Sequence, residues 1–121
     1  MNIPRLNGIA RVLAGGGTAF VTFSPADTGS AQLVSGEAYD GVVFEMEHGA
    51  YDIKALRDCL QYMLNRRQIL ESGTLAPAVT PLVRIPPNGS EMNQWIAKQV
   101  LDQGVYGIIW PHVSTVEEEI G

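Results

Sequence analysis

Four short apolar runs, each separated from the next by a segment with helical periodicity, constrain this chain more than any other feature. Ala19 to Phe23, Val42-Val43-Phe44, Pro81-Leu-Val-Arg-Ile85 and Gly107-Ile-Ile-Trp110 are brief and bounded by Gly, Pro or Asp, as buried strands are. Helical spacing appears around them. Ile3, Leu6, Ile9, Val12 and Leu13 predict a helix over Asn2 to Leu13, with Pro4 in its first turn and Gly15-Gly16-Gly17 as its stop. Ser24-Pro25-Ala26-Asp27 reads as a helix start, with Ala31 to Val34 in a short helix ending near Gly36. Asp52 is placed to N-cap a helix whose apolar face is Ile53, Leu56, Leu60, Met63 and Leu64. Gln68 to Thr80 loses this period and reads as a loop or a frayed helix end. Ser90 and Glu91 open a helix to Gln103, with Met92, Trp95, Ile96 and Val100 on its face and Gly104 as its C′ residue. Ser114-Thr-Val-Glu117 has capping-box spacing for one more helix, which runs out at Gly121.

Strand and helix therefore alternate, with connections long enough for right-handed parallel crossovers. The expected fold class is α/β: either a small open sheet or, as the end inside a capped helix favours, a partial TIM (β/α)8 barrel. On that reading residues 1–121 are the amino-terminal part of a single, truncated barrel domain. With 121 residues the chain is long enough for one core.

Charge and composition exclude several classes of function. The formal net charge is −5 and the only basic cluster is Arg66-Arg67, so no basic stripe for nucleic acid is present. No apolar run approaches the roughly 18 residues of a membrane span. No secretory leader pattern opens the chain. The single cysteine, Cys59, excludes an intrachain disulfide, fits a reducing cytoplasm and, beside an apolar helix face, is expected to pack. The triple glycine is not followed by Lys-Ser/Thr, so the phosphate-loop reading fails and a helix-to-strand connector remains.

Chemistry gathers at the strand ends. Glu45, Glu47 and His48 follow the second run, Arg84 interrupts the third, and His112 follows the fourth. In parallel α/β folds, groups at the carboxyl ends of strands converge on one rim. A histidine moves protons near neutral pH, and an arginine grips a carboxylate and steadies developing negative charge. Together they suit a small keto acid passing through an enolate. The bland alternative stays open: Glu45 and Glu47, alternating along a strand, are expected to face opposite sides and need not act together, one of them can be a structural ion pair with Arg84, and either histidine can be ordinary loop structure.

Tyr39-Asp-Gly-Val-Val-Phe-Glu-Met-Glu-His-Gly49 resembles the "fDfv-iDmEHg" signature of the HpcH/HpaI aldolase / citrate lyase family. Pro81-Leu-Val-Arg-Ile-Pro86 is similar to its "p-VRvP" strand. Leu101-Asp-Gln-Gly-Val-Tyr-Gly-Ile-Ile-Trp-Pro-His-Val113 resembles its "LD-Ga-GvivPhv" segment, and Ser114 to Glu118 its next helix start. The resemblance implies a (β/α)8 barrel that assembles as a homo-oligomer. It also implies a class II, divalent-metal-dependent carbon–carbon lyase that turns a 4-hydroxy-2-keto acid into pyruvate and an aldehyde, with Mg²⁺ or Mn²⁺ as cofactor. By position, the resemblance makes His48 the catalytic acid/base and Arg84 the substrate and enolate clamp. Glu45 stands where most members have Asp, near substrate and metal-bound water, and Asp102 matches an aspartate that partners the histidine.

Two points depart from the simple picture. The family's metal ligands come from later strands and are expected beyond Gly121, so no metal ligand is assigned within this sequence, and the chain alone is expected to be inactive. The alternative function is then an inactive barrel fragment with a structural or oligomerising role. Asp102 precedes the fourth strand, at the rim opposite His48, so either its partnership with a histidine crosses a subunit boundary or it is a helix-end aspartate bonding nearby backbone.

Overall fold

A computed structural model describes residues 5–87 and 92–116. Its elements run α1 (Gly8–Ala14), β1 (Val21–Pro25), α2 (Thr28–Val34), β2 (Gly41–Glu45), α3 (Ile53–Tyr62), α4 (Arg66–Ser72), β3 (Thr80–Arg84), α5 (Gln94–Gln103) and β4 (Ile108–Ile109). The four strands form one sheet in the order β1-β2-β3-β4, and every pairing is parallel. This is the expected partial (β/α)8 architecture: sequential neighbours, each joined through a helical crossover.

The sidedness of the core distinguishes a barrel-like sheet from one wound on both faces. Val42 and Phe44 of β2 and Val83 of β3, with Ile85 just beyond it, point to the same side, where they meet Ala31 and Val34 of α2, Leu56, Cys59 and Leu60 of α3, and Ile96 and Val100 of α5. Fully burying each of the large side chains contributes about 1.5–3 kcal/mol. The other face carries Phe23, Val43, Leu82, Glu45 and Arg84, and there Phe23 is exposed. In a closed barrel that inner face is covered by layers of side chains from the other strands. Helix α1 crosses the amino-terminal end of the strands instead. Asn7 caps it by accepting from the Ile9 and Ala10 N–H groups, and the Gly8 N–H donates to the Thr80 hydroxyl at 2.9 Å.

Local capping explains most element limits. The Asp27 and Asp52 side chains accept from the Ser30 and Ala55 N–H groups and start α2 and α3. Gly104, at φ 106°, closes α5 in the left-handed conformation expected of it.

Several features differ from expectation; Leu64 and Met92, expected on apolar helix faces, lie outside α3 and α5 and are exposed. Helix α1 begins at Gly8, where Asn7 supplies the cap; residues 1–4 lie outside the described residues. The first strand runs on through Ser24 and Pro25, since parallel pairing with Phe44 and Glu45 holds them extended until Asp27 caps α2. Arg66 to Ser72 form the separate helix α4, capped by Asn65 and ended by Gly73 in the left-handed region, where Gln68 onward was expected to be loop or frayed end. Trp95, expected on the packed face of its helix, is 57% exposed, touching Tyr51 edge-on at 6.3 Å between ring centres. The helix starts expected at Ser90-Glu91 and beyond Ser114 fall wholly or largely outside the described residues. So does Gly121, the point past which the metal ligands are expected. Among the described residues, no helix is long and apolar enough to cross a membrane.

Candidate functional site

The site is built at the carboxyl end of β2 and β3. Parallel register places Glu45 directly beside Arg84 as the last residues of their strands. The Met46 N–H extends the ladder one step by donating to the Arg84 carbonyl at 2.9 Å, and burying the Met46 side chain anchors the turn. Past Met46 the backbone folds tightly. Glu45 Oε1 accepts from the Glu47 N–H at 2.6 Å and the His48 N–H at 3.3 Å, so one carboxylate oxygen satisfies two donors of the loop. A side chain at position 49 would bring its Cβ within 2.9 Å of the Glu45 carbonyl oxygen, which is why glycine closes the turn.

This turn returns the Glu47 side chain to the same guanidinium. Arg84 Nη2 donates to Glu45 Oε2, while Arg84 Nε lies 3.2 Å from Glu47 Oε1. The Arg84 head group also stacks on Phe23, 4.6 Å from the ring centre. A cation–aromatic contact of that kind contributes about 0.5–1 kcal/mol at an exposed site and more when desolvated. Glu47 itself is only 5% exposed at its side chain and is surrounded by cationic or potentially cationic groups. His48 Nε2 is 3.4 Å from Oε1, and His112 Nε2 is 2.8 Å from Oε2.

The placement of the expected site residues is therefore uneven. Glu45, His48 and Arg84 come together at one rim. Asp102 does not: it lies near the end of α5, leading into the start of β4, where its carboxylate is exposed and 3.7 Å from Lys98. Two residues absent from the expected catalytic set join the site, Glu47 and His112. Glu45 and Glu47, expected to face opposite sides, both reach Arg84, because β2 ends at Glu45 and the turn past Met46 brings the Glu47 side chain back. For His112 the signal was its position just past β4.

Beside the ion pairs opens a cleft of about 540 Å³ lined by Phe23, Pro25, Ala26, Glu45, His48 and Asp52 among others. Arg84 does not line the cleft; it stands behind Glu45 and Phe23, which do. His48 is largely exposed and hence free to meet a ligand there. Cys59 is not part of this chemistry. Burial, reinforced by the nearby Asp27 and Asp58, pushes its thiol up to about 11, the opposite of what a nucleophile needs. Among the described residues no cluster of three or more His, Cys, Asp or Glu side chains is arranged to hold a metal ion. Glu45 and Glu47 are already committed to Arg84, to backbone and to imidazoles, so their lone pairs do not form a cation cage.

The family model for HpcH/HpaI aldolase/citrate lyase matches residues 19–120, from the start of the sheet region to the last residues of the chain. The chain belongs to this family. A curated relative, the hydroxypyruvate/pyruvate aldolase of Roseobacter denitrificans, is 26% identical over 114 residues, covering 93% of this chain and 39% of the relative. A solved HpcH/HpaI family protein from Burkholderia cenocepacia superposes with a TM-score of 0.66 at 20% identity, over 93% of this chain and 39% of that one. Macrophomate synthase superposes equally well, TM-score 0.66 at 22% identity, over 94% of this chain and 35% of that structure. At those identities the structural likeness speaks for the fold alone. The chain thus spans well under half the length of the relative and the solved structures it matches.

Proposed function

We propose that this chain supplies the substrate-gripping rim of a carbon–carbon lyase that cleaves a 4-hydroxy-2-keto acid into pyruvate and an aldehyde. One observation carries the proposal: the Arg84 guanidinium and the His48 imidazole, delivered by adjacent parallel strands, both reach a single carboxylate oxygen, Glu47 Oε1, at 3.2 and 3.4 Å. Two groups that share one small anion within the protein are spaced to share one on a substrate. Family membership supports aldolase or lyase chemistry of this general kind.

In this reading Arg84 grips the keto acid's carboxylate and stabilises the negative charge that develops as the bond between C3 and C4 breaks. Glu45 and the Phe23 ring fix the plane of the guanidinium, so little reorganisation is needed at that moment. His48, at the mouth of the cleft, takes the proton from the C4 hydroxyl as the C3–C4 bond breaks to aldehyde and enolate; a proton added at C3 of the enolate then completes pyruvate, and condensation runs the same steps in reverse. The cleft beside it receives the aldehyde half. Divalent-metal dependence is part of the proposal; the family resemblance puts its Mg²⁺ or Mn²⁺ ligands on later strands, beyond Gly121, and the paired carboxylates of Glu45 and Glu47 do not fit that role. Asp102, at the opposite rim, reaches a histidine only across a subunit boundary of a homo-oligomer.

The test is pyruvate release from a 4-hydroxy-2-keto acid by the complete protein supplied with Mg²⁺ or Mn²⁺, followed by a coupled reductase. Metal-dependent release is expected. No release with either metal across a series of such acids would leave only the structural or oligomerising role.

A further inference from the structure

The Arg84 Nε–H is the one buried side-chain polar atom among the described residues that lacks an aligned hydrogen bond, although Glu47 Oε1 is 3.2 Å away. A carboxylate so close would ordinarily turn to meet that donor, because a buried unpaired N–H is costly. A second contact opposes that turn. His112 Nε2 sits 2.8 Å from the other oxygen of Glu47, the shorter of the two contacts. His112 itself stands at φ 58°, the left-handed region that residues other than glycine seldom occupy. A strained backbone that delivers an imidazole to a nearly buried carboxylate points to a role for that contact.

We propose that His112 is a positioning residue that draws Glu47 away from full engagement with Arg84, keeping the guanidinium open to a substrate carboxylate. Arg84 already carries Glu45 on Nη2. If Glu47 also closed onto Nε, the guanidinium would face two aligned protein carboxylates and a third from the substrate would bind in competition. By holding Oε2, His112 divides the charge of Glu47 between itself, His48 and Arg84. The coupling of His112, Glu47 and Arg84 stands on geometry; its use in binding rests on the keto-acid reading above.

The experiment follows the Arg84 Nε–H signal in ¹⁵N-labelled protein, read as its exchange rate with water, alongside the dissociation constant for pyruvate from titration. His112→Gly is the main variant because glycine takes φ 58° without strain, so loss of folding is not expected. Glu47 should then close on Arg84, slowing Nε–H exchange about tenfold and weakening pyruvate binding about tenfold, as loss or gain of one charged hydrogen bond implies. His112→Gln, which retains a donor of similar reach, should stay near wild type. Adding Glu47→Gln to His112→Gly should reverse both changes, a rescue that a merely structural histidine would not show. Unchanged exchange and affinity in His112→Gly, or no rescue by Glu47→Gln, would overturn the proposal. Slowed exchange in a protein that binds pyruvate in none of its forms would uphold the coupling and overturn the keto-acid reading instead.

Discussion

Replacing Arg84 with methionine removes the one cation that both Glu45 and Glu47 contact at the strand ends. Breaking a fully buried ion pair from one side costs about 3–5 kcal/mol, since the remaining charge is left without compensation. Here the Arg84 and Glu45 side chains keep 25% and 19% of their exposure, so water screens part of that cost. Glu47 is more deeply buried but retains His112. Methionine also keeps a sulfur–aromatic contact with Phe23 in place of the cation–aromatic one, a difference of well under ~1 kcal/mol. The expected loss is therefore about 2–3 kcal/mol. Urea denaturation should show it as a midpoint shift of roughly 1–2 M at constant slope. Combining Arg84→Met with Glu45→Gln and Glu47→Gln should return most of the stability, because no unpaired charge is then buried. A single variant within about 0.5 kcal/mol of wild type, or a triple variant no better than the single, would refute this reading of the site's energetics.

Three further outcomes follow from the structure. Leu56 is fully buried between the sheet and its covering helices, so Leu56→Ala should cost about 2–5 kcal/mol in the same denaturation assay. Cys59 keeps its proton in the folded state until about pH 11, whereas an unfolded thiol loses it near its ordinary value, two units lower. The unfolded state therefore binds fewer protons in that window, and stability should fall as pH rises through it; Cys59→Ala should flatten the fall, and an equal slope in both proteins would count against it. Asp102 is exposed and touches only Lys98 among the contacts seen, so Asp102→Asn should leave the melting temperature unchanged yet lower activity in the assembled protein alone. Equal activity of variant and wild type in the assembly would remove Asp102 from the site.

Much of the fold was legible because its signals are local. Asp27, Asp52 and Gly104 each act within one turn, and the β-branched run at Val42 to Phe44 needs no distant partner to be read. Helix α4 escaped because none of its residues is buried, so it has no apolar stripe; only Asn65 and Gly73 mark its ends. Ser24 and Pro25 looked like a helix start, but pairing with β2, which is tertiary information, keeps them extended. Trp95 sat at helical spacing with Ile96 and Val100, yet the core is filled without it. At the site, the convergence of Glu45, His48 and Arg84 followed from strand ends sharing one rim. The return of Glu47 to Arg84, and the reach of His112 to Glu47, depend on a turn geometry that no spacing rule encodes.

The central claim is that His48 and Arg84 act together on one keto acid, and the steady-state kinetics of His48→Ala in the complete, metal-supplied protein test it most directly. Pyruvate release should fall by about two to four orders of magnitude in kcat, as removal of a general acid/base group does, while the affinity for pyruvate, set by Arg84, changes little. A His48→Ala protein that releases pyruvate at the wild-type rate would contradict it.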